Sequence, residues 1–287
     1  MPAAAMLTRQ IPSTGEAIPV IGLGTWRAFD VGTDEATRRP LREALRLFLD
    51  TGGRVIDSSP MYGRAEGVVG DLLAELPGHP RPFLATKVWT TGGQRGAEQM
   101  RRSGQLLRSE VIDLMQIHNL VDWRTHLARL RRMKDEGRIR YIGITHYTTG
   151  ALPELARILT GEPGIDFVQL GYSLATRAPE TEVLPIAASR GVAVIANQPL
   201  KRGDLFRRVR GRPLPDWACE FDCSSWSQLF LKYVLAEPAV TCVIPATGNP
   251  EHMRDNLAAG FGRLPDARQR QLIRALLDGV SGRTRLW

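Results

Sequence analysis

The sequence predicts a single α/β domain folded as a (β/α)₈ barrel. Eight short apolar runs recur along its 287 residues, apolar stripes at helical spacing lie between them, and no break in composition divides the chain. The runs are residues 20–25, 54–58, 83–88, 112–118, 139–146, 167–173, 192–198 and 240–245. Each is rich in Val, Ile, Leu or Phe without strict alternation, as strands buried on both faces of a parallel sheet are. The stripes are Leu41, Ala44, Leu45, Phe48 and Leu49; Leu127, Leu130 and Met133; Leu152, Leu155, Ile158 and Leu159; and Trp226, Phe230, Tyr233 and Val234. Gly52, Gly137 and Gly191 stand where helices should end in a left-handed cap. Eight such repeats make one barrel spanning residues 1–287. An open doubly wound sheet has the same periodicity, because closure leaves no mark on it.

Three segments fall outside the repeat. Residues 7–18 read as a hairpin turning at Ser13-Thr14-Gly15, a plug for the barrel bottom. Residues 201–223 form a long loop after the seventh strand, and loops of that length are usually functional. Residues 265–278 read as a C-terminal helix.

A composition of 43% hydrophobic and 24% charged residues excludes disordered, collagen-like and low-complexity architectures. The net charge is +8, yet only Lys87, Lys134, Lys201 and Lys232 are lysines; the remaining 34 cations are arginine. That skew reflects genome composition, and no nucleic-acid-binding module is recognisable, so no nucleic-acid partner is expected. Cys219, Cys223 and Cys242 give no disulfide framework and lack the companions of a zinc site, so reduced thiols and no metal are expected. No run approaches the roughly 18 apolar residues of a membrane span, and the N-terminal stretch lacks a leader pattern. A cytoplasmic protein without membrane association, monomeric or weakly homo-oligomeric, is the expectation.

Barrel chemistry gathers at the C-terminal ends of the strands. The first seven runs end, in turn, on Thr25 and Trp26; Asp57; Lys87; His118; Thr145 and His146; Gln169 and Tyr172; and Asn197 and Gln198. A single Lys at a strand end is ordinarily solvated, and a single His ordinarily a satisfied core group. Asp, Lys and His on three successive strands must instead pair with one another, since unpaired charges in one mouth are costly to desolvate.

These residues sit in segments that resemble the aldo-keto reductases: Ile21-Gly22-Leu23-Gly24-Thr25-Trp26, Ile56-Asp57-Ser58-Ser59-Pro60-Met61-Tyr62-Gly63, Ala85-Thr86-Lys87-Val88-Trp89, Asp113-Leu114-Met115-Gln116-Ile117-His118, Arg138-Ile139-Arg140-Tyr141-Ile142-Gly143-Ile144 and Val243-Ile244-Pro245. The resemblance implies a catalytic tetrad of Asp57, Tyr62, Lys87 and His118 and reduction of an aldehyde or ketone with NADPH, or with NADH. The chemistry of these side chains agrees. No side chain donates hydride, so a nicotinamide must. A phenol can supply the proton if a nearby ammonium lowers its pKa from about 10. Tyr62 is then the general acid, Lys87 the ammonium held by Asp57, and a neutral His118 polarises the carbonyl.

The resemblance also implies cofactor contacts. Gly24, Thr25 and Asp57 would lie at the nicotinamide ribose and pyrophosphate, Gln169 at the carboxamide, and Thr145-His146 where the family has Ser-Asn. Asn197, followed by Gln198, Pro199 and Leu200, stands where the family has a stacking aromatic, a loss of about 1 kcal/mol. Thr247 and Asn256 remain for the ribose phosphate and adenine. Ala246 and His252 replace the Lys and Arg that clamp the 2′-phosphate, which weakens the case for NADPH over NADH. Residues 201–212 carry Lys201, Arg202, Arg207, Arg208, Arg210 and Arg212 against Asp204 alone. Arg207 and Arg208 are candidates to fold over a cofactor phosphate; a solvated basic loop is the alternative. Trp26, Met61, Trp89 and Trp123 would make an apolar substrate mouth or simply pack.

Two other functions fit parts of the pattern. A Schiff-base aldolase would use Lys87 as nucleophile, but an ammonium paired with Asp57 is a poor one. A cofactor-binding regulatory barrel with little turnover would account for Asn197, Ala246 and His252.

Overall fold

The computed structural model describes residues 5–281, with side chains to 278; residues 1–4, part of the N-terminal stretch read for a leader, and 282–287 lie outside the described residues. An antiparallel hairpin, β1 (Thr8–Gln10) and β2 (Ala17–Pro19), precedes eight parallel strands: β3 (Leu23–Gly24), β4 (Val55–Asp57), β5 (Phe83–Val88), β6 (Ile112–His118), β7 (Ile139–His146), β8 (Phe167–Gly171), β9 (Ala193–Asn197) and β10 (Val240–Val243). The strands pair in chain order. Parallel bridges Ile21↔Val243 and Gly24↔Ala246 then join the first strand to the last. The sheet therefore closes, which the periodicity left open. The seam demands glycine at position 24: a Cβ there would lie 2.9 Å from the Ile244 carbonyl oxygen.

Helices cover the outside: α1 (Glu35–Asp50), α2 (Ala65–Ala74), α3 (Gly93–Leu106), α4 (Trp123–Asp135), α5 (Leu152–Gly161), α6 (Pro179–Glu182), α7 (Leu184–Ser189), α8 (Asp204–Arg208), α9 (Trp226–Leu235), α10 (Pro250–Ala258) and α11 (Ala267–Ser281). The Asp34 carboxylate caps α1 by accepting from the Thr37 amide at 3.0 Å. The buried face of α1 is Leu41, Ala44, Leu45, Phe48 and Leu49, the stripe read from the sequence. Those read for α4 and α5 are buried as well. In α9 Phe230, Tyr233 and Val234 are buried, with Trp226 half-buried. Helix α11 docks through Arg270, which donates to Tyr172 and pairs with Glu180 and Glu237, and through Arg274, which pairs with Glu180.

Strand side chains divide by alternation. Ile56, Met115, Ile142, Val168, Val194 and Val243 face the helices. Val55, Leu114, Tyr141, Phe167, Ala193 and Cys242 form a separate interior cluster with Ile11 and Ile18 of the hairpin. The hairpin is thus the bottom of the barrel core. Its Arg9 guanidinium donates to the carbonyls of Leu235, Glu237 and Val240, fastening it beside the last strand.

The long loop expected after the seventh barrel strand follows β9 and is ordered by short helical turns. A 3₁₀ turn at Lys201–Gly203, α8 and a second 3₁₀ turn at Asp216–Phe221 organise it. Leu205, Val209, Ala218 and Phe221 bury their side chains and anchor it.

Ile11 is completely buried at the barrel floor. Ile11→Ala should therefore cost about 2–5 kcal/mol, read from the midpoint and slope of denaturant unfolding. A loss below about 0.5 kcal/mol would mean that the hairpin is dispensable.

Candidate active site

The C-terminal ends of the barrel strands open into a cleft of about 970 Å³. Gly24 and Thr25 from the end of β3, Asp57 from β4, His118 from β6, Thr145 from β7, Gln169 from β8 and Asn197 from β9 all line it.

Beneath the cleft lies a buried ion pair. The Lys87 ammonium donates to Asp57 Oδ2 at 2.6 Å and to the Ser58 carbonyl at 2.7 Å. Lys87 is 0% and Asp57 2% exposed. The second carboxylate oxygen accepts from Gln116 Nε2 at 2.9 Å and from Gln169 Nε2 at 2.8 Å. Burial pushes the lysine's pKa down, but the Asp57 carboxylate and Tyr62 outweigh it, and the net shift is upward. Lys87 is held as a cation.

Tyr62 is carried on the turn between β4 and α2, its amide donating to the Ser59 carbonyl at 2.9 Å. The Lys87 ammonium lies 5.1 Å from the centre of its ring. Burial raises the phenol above its ordinary value, and Lys87 opposes the rise without cancelling it. The sequence reading put the net direction downward; desolvation of a phenol beneath apolar walls is what reverses it. His118 meets Tyr62 edge to face, ring centres 5.9 Å apart. Its Nδ1 is bonded to Ser59 Oγ at 2.9 Å, which leaves Nε2 for a ligand. Burial first, then Lys87 and His146, hold this imidazole down at about 3, so it is neutral at physiological pH.

The expected cofactor residues divide. Gly24, Thr25, Thr145, Gln169, Asn197, Pro199, Leu200, Thr247, His252 and Asn256 all line the cleft. Thr25 Oγ1 is turned to the Asp57 carbonyl and Ser58 Oγ, each at 3.0 Å. Asn256 accepts from Ser227 Oγ at 2.7 Å. His146 stands off the cleft, stacked on Tyr147 and bonded to Thr148. Arg207 and Arg208 also lie outside it, each paired with Asp204. Of the basic stretch, Arg202 is the residue that enters.

On the substrate side, Trp26 and Met61 line the cleft. Trp89 is exposed, its ring 6.4 Å from that of His118. Trp123 is buried in the core under Arg124 and Arg157. Tyr172, another strand-end residue, turns away to Glu180 and Arg270.

Several contributors escaped the sequence reading. Gln116 was visible only as a polar residue inside an apolar strand. Ser59, which bridges the Tyr62 turn and His118, carries no charge to mark it in the sequence. Arg27, Asn119, Tyr147, Phe206 and Asp255 also line the cleft and carry no signal in the sequence. Among the described residues no cluster fit to hold a metal ion occurs, and no helix is long and apolar enough to cross a membrane.

Known proteins share this fold. Residues 20–276 match the model of the Aldo/keto reductase family. Methylglyoxal reductase YeaE of Escherichia coli is 28% identical over 262 residues, covering 88% of this chain and 89% of that protein. The NADH-specific methylglyoxal reductase of the same organism is 26% identical, covering 90% and 95%. A Klebsiella pneumoniae aldo-keto reductase solved in complex with NADPH superposes with a TM-score of 0.76 at 27% identity, covering 95% of this chain and 96% of that one. The chain belongs to the aldo/keto reductase family.

Proposed function

We propose that this enzyme reduces an aldehyde or ketone to an alcohol with NAD(P)H, using Tyr62 as general acid, Lys87 and Asp57 to govern it, and His118 to orient the carbonyl. The observation that carries this reading is the buried Lys87–Asp57 pair set beneath Tyr62, with a neutral His118 edge-on to the same ring.

The cleft suits a dinucleotide. Its volume of about 970 Å³ exceeds the need of a small substrate alone. Asn197 Oδ1 and Asn119 Oδ1 are buried there without a partner among the described residues, acceptors that fit amide or hydroxyl donors of a ligand. Gly24, Thr25, Thr145, Gln169, Asn197, Pro199, Leu200, Thr247, His252 and Asn256 are the residues that would hold it. The nicotinamide supplies the hydride when bound. Either nucleotide is admitted: the Klebsiella neighbour holds NADPH, the Escherichia coli relative is NADH-specific, and Ala246 and His252 put no Lys or Arg at the clamp positions.

The proton comes from the protein. A phenol whose pKa burial has raised is fully protonated at neutral pH, and so is ready to donate. As the proton leaves, the Lys87 ammonium stabilises the phenolate, which is the differential stabilisation that lowers the barrier. Asp57, fixed by two glutamine amides, keeps Lys87 charged and immobile. Met61 N donates to Ser59 Oγ at 3.2 Å, so the serine hydroxyl can give its own proton to His118 Nδ1. That selects the Nε2–H tautomer, a donor for the carbonyl oxygen. The three free cysteines support a reducing, cytoplasmic setting.

Tyr62→Phe should lower kcat for a generic aldehyde by about 100-fold or more, while fluorescence titration still shows NADPH or NADH binding. Unchanged turnover would overturn the mechanism.

His118 adds a pH signature. With its folded pKa at about 3, no His118 limb should cross the kcat/KM profile between about pH 5 and 8. A limb near pH 6.5 that vanishes in His118→Gln would contradict this. The same depression acts on stability. The unfolded chain binds the extra proton below its ordinary value of 6.5, so this contribution is complete above that pH and is lost as pH falls toward about 3. His118→Gln should therefore flatten the acid limb of the stability profile in urea titrations.

A further inference from the structure

We propose that Gln99 is a positioning residue for substrate choice. With Arg95, Asp122 and His126 it fixes residues 89–92 so that Trp89 walls the carbonyl site and favours aldehydes with an aromatic body. This rests on the reading of His118 as the group that orients the carbonyl.

The loop from β5 to α3 is tied down at every residue. Gln99, on α3, takes both polar groups of the Trp89 backbone: its Oε1 accepts from the amide at 2.6 Å, and its Nε2 donates to the carbonyl at 3.2 Å. The Thr90 carbonyl is bonded to His126 Nε2 at 2.6 Å. A carbonyl can only accept, so the His126 proton on that side is on Nε2. Arg95 Nε donates to the Thr91 carbonyl at 3.0 Å, and the Gly92 amide donates to Asp122 Oδ2 at 2.8 Å. The other Asp122 oxygen accepts from Thr125 Oγ1 at 2.7 Å, which joins the loops after β5 and β6. His126 is completely buried, and α3 admits it only because residue 96 is glycine. A Cβ there would lie 2.5 Å from the imidazole Cε1.

What these side chains hold in place is one indole. Trp89 is 42% exposed, with its ring 6.4 Å from that of His118. Its indole N–H has no partner among the described residues, so every hydrogen bond that fixes this residue runs through its backbone, to Gln99. A large apolar ring left open beside the imidazole is surface that a substrate can cover. The residues given to the dinucleotide include none from the loops after β5 and β6. His118, at the head of the second of these loops, lines the cleft. This side of the mouth is therefore free for the body of the aldehyde. A wall already fixed spares the cost of ordering it when substrate binds.

Steady-state kinetics with 4-nitrobenzaldehyde and propanal, at saturating cofactor, would be measured for the wild type, Gln99→Met, Gln99→Glu, Trp89→Ala and the double variant of Gln99→Met with Trp89→Ala. Gln99→Met keeps the reach of the side chain and removes both bonds, whereas Gln99→Glu keeps the acceptor alone. The wild type should prefer the aromatic aldehyde by about tenfold or more in kcat/KM. Gln99→Met should cut that ratio by about five- to tenfold through KM, with kcat for propanal and the cofactor Kd held within about twofold. Gln99→Glu should keep part of the preference. On the Trp89→Ala background Gln99→Met should change the ratio no further, a coupling that a merely structural role would not produce. An unchanged ratio in Gln99→Met would overturn the proposal, as would equal losses for both aldehydes or additive losses in the double variant. The reductase mechanism is read separately, from the loss of propanal turnover in Tyr62→Phe, and stands if the Gln99 ratio does not move.

Discussion

The site depends on a lysine that the fold keeps charged with none of its surface exposed. Burying an ammonium and a carboxylate costs several kcal/mol for each ion, and their mutual attraction repays it only when every other lone pair and proton is satisfied. Here the accounts are nearly complete: Lys87 has Asp57 and the Ser58 carbonyl, and Asp57 has the amides of Gln116 and Gln169. Those partners arrive from β4, β5, β6 and β8; the first three are neighbours in the sheet, and the curl of the barrel brings β8 to them. The curl of the barrel and the charge state of one lysine are therefore a single requirement.

Around that pair the cleft is built from groups that position without reacting. Ser59 holds the Tyr62 turn with one atom and the His118 ring with another. Gln169 spends its amide on Asp57, while its carbonyl accepts from Asn197 at 3.3 Å. At the opposite wall the Asn249 side chain accepts from the Glu251 and His252 amides, so the first turn of α10 is already capped by the protein. Ala246 and His252 stand beside it in the cleft lining.

Much of this was legible in the sequence because the signals are local. The stripe of α1 is legible since five residues at 3.6 spacing can face only one way. Asp57, Lys87 and His118 are legible at three strand ends, and Tyr62 through the resemblance of the segment that carries it. What escaped depends on surroundings. The apolar anchors Leu205, Val209, Ala218 and Phe221 have no regular spacing, so the segment after β9 reads as loop until its contacts are seen. Tyr172 shares a strand end with Gln169, yet Glu180 and Arg270 draw it out of the cleft. Trp123 heads α4, and its burial follows from packing that no single helix shows.

The closure seam carries a consequence for how the molecule is made. Strand β3 meets β10 across more than 200 residues of sequence, the Leu7 amide donates to the Gly260 carbonyl, and Arg9 grips carbonyls from Leu235 to Val240. A nascent chain emerging from the ribosome has its floor plug and first strand early but lacks the surface that receives them. Until the last strand is released, β3 is an open edge and the interior faces of Ile11, Phe83 and Tyr141 are uncovered, the condition in which a parallel sheet is most exposed to aggregation.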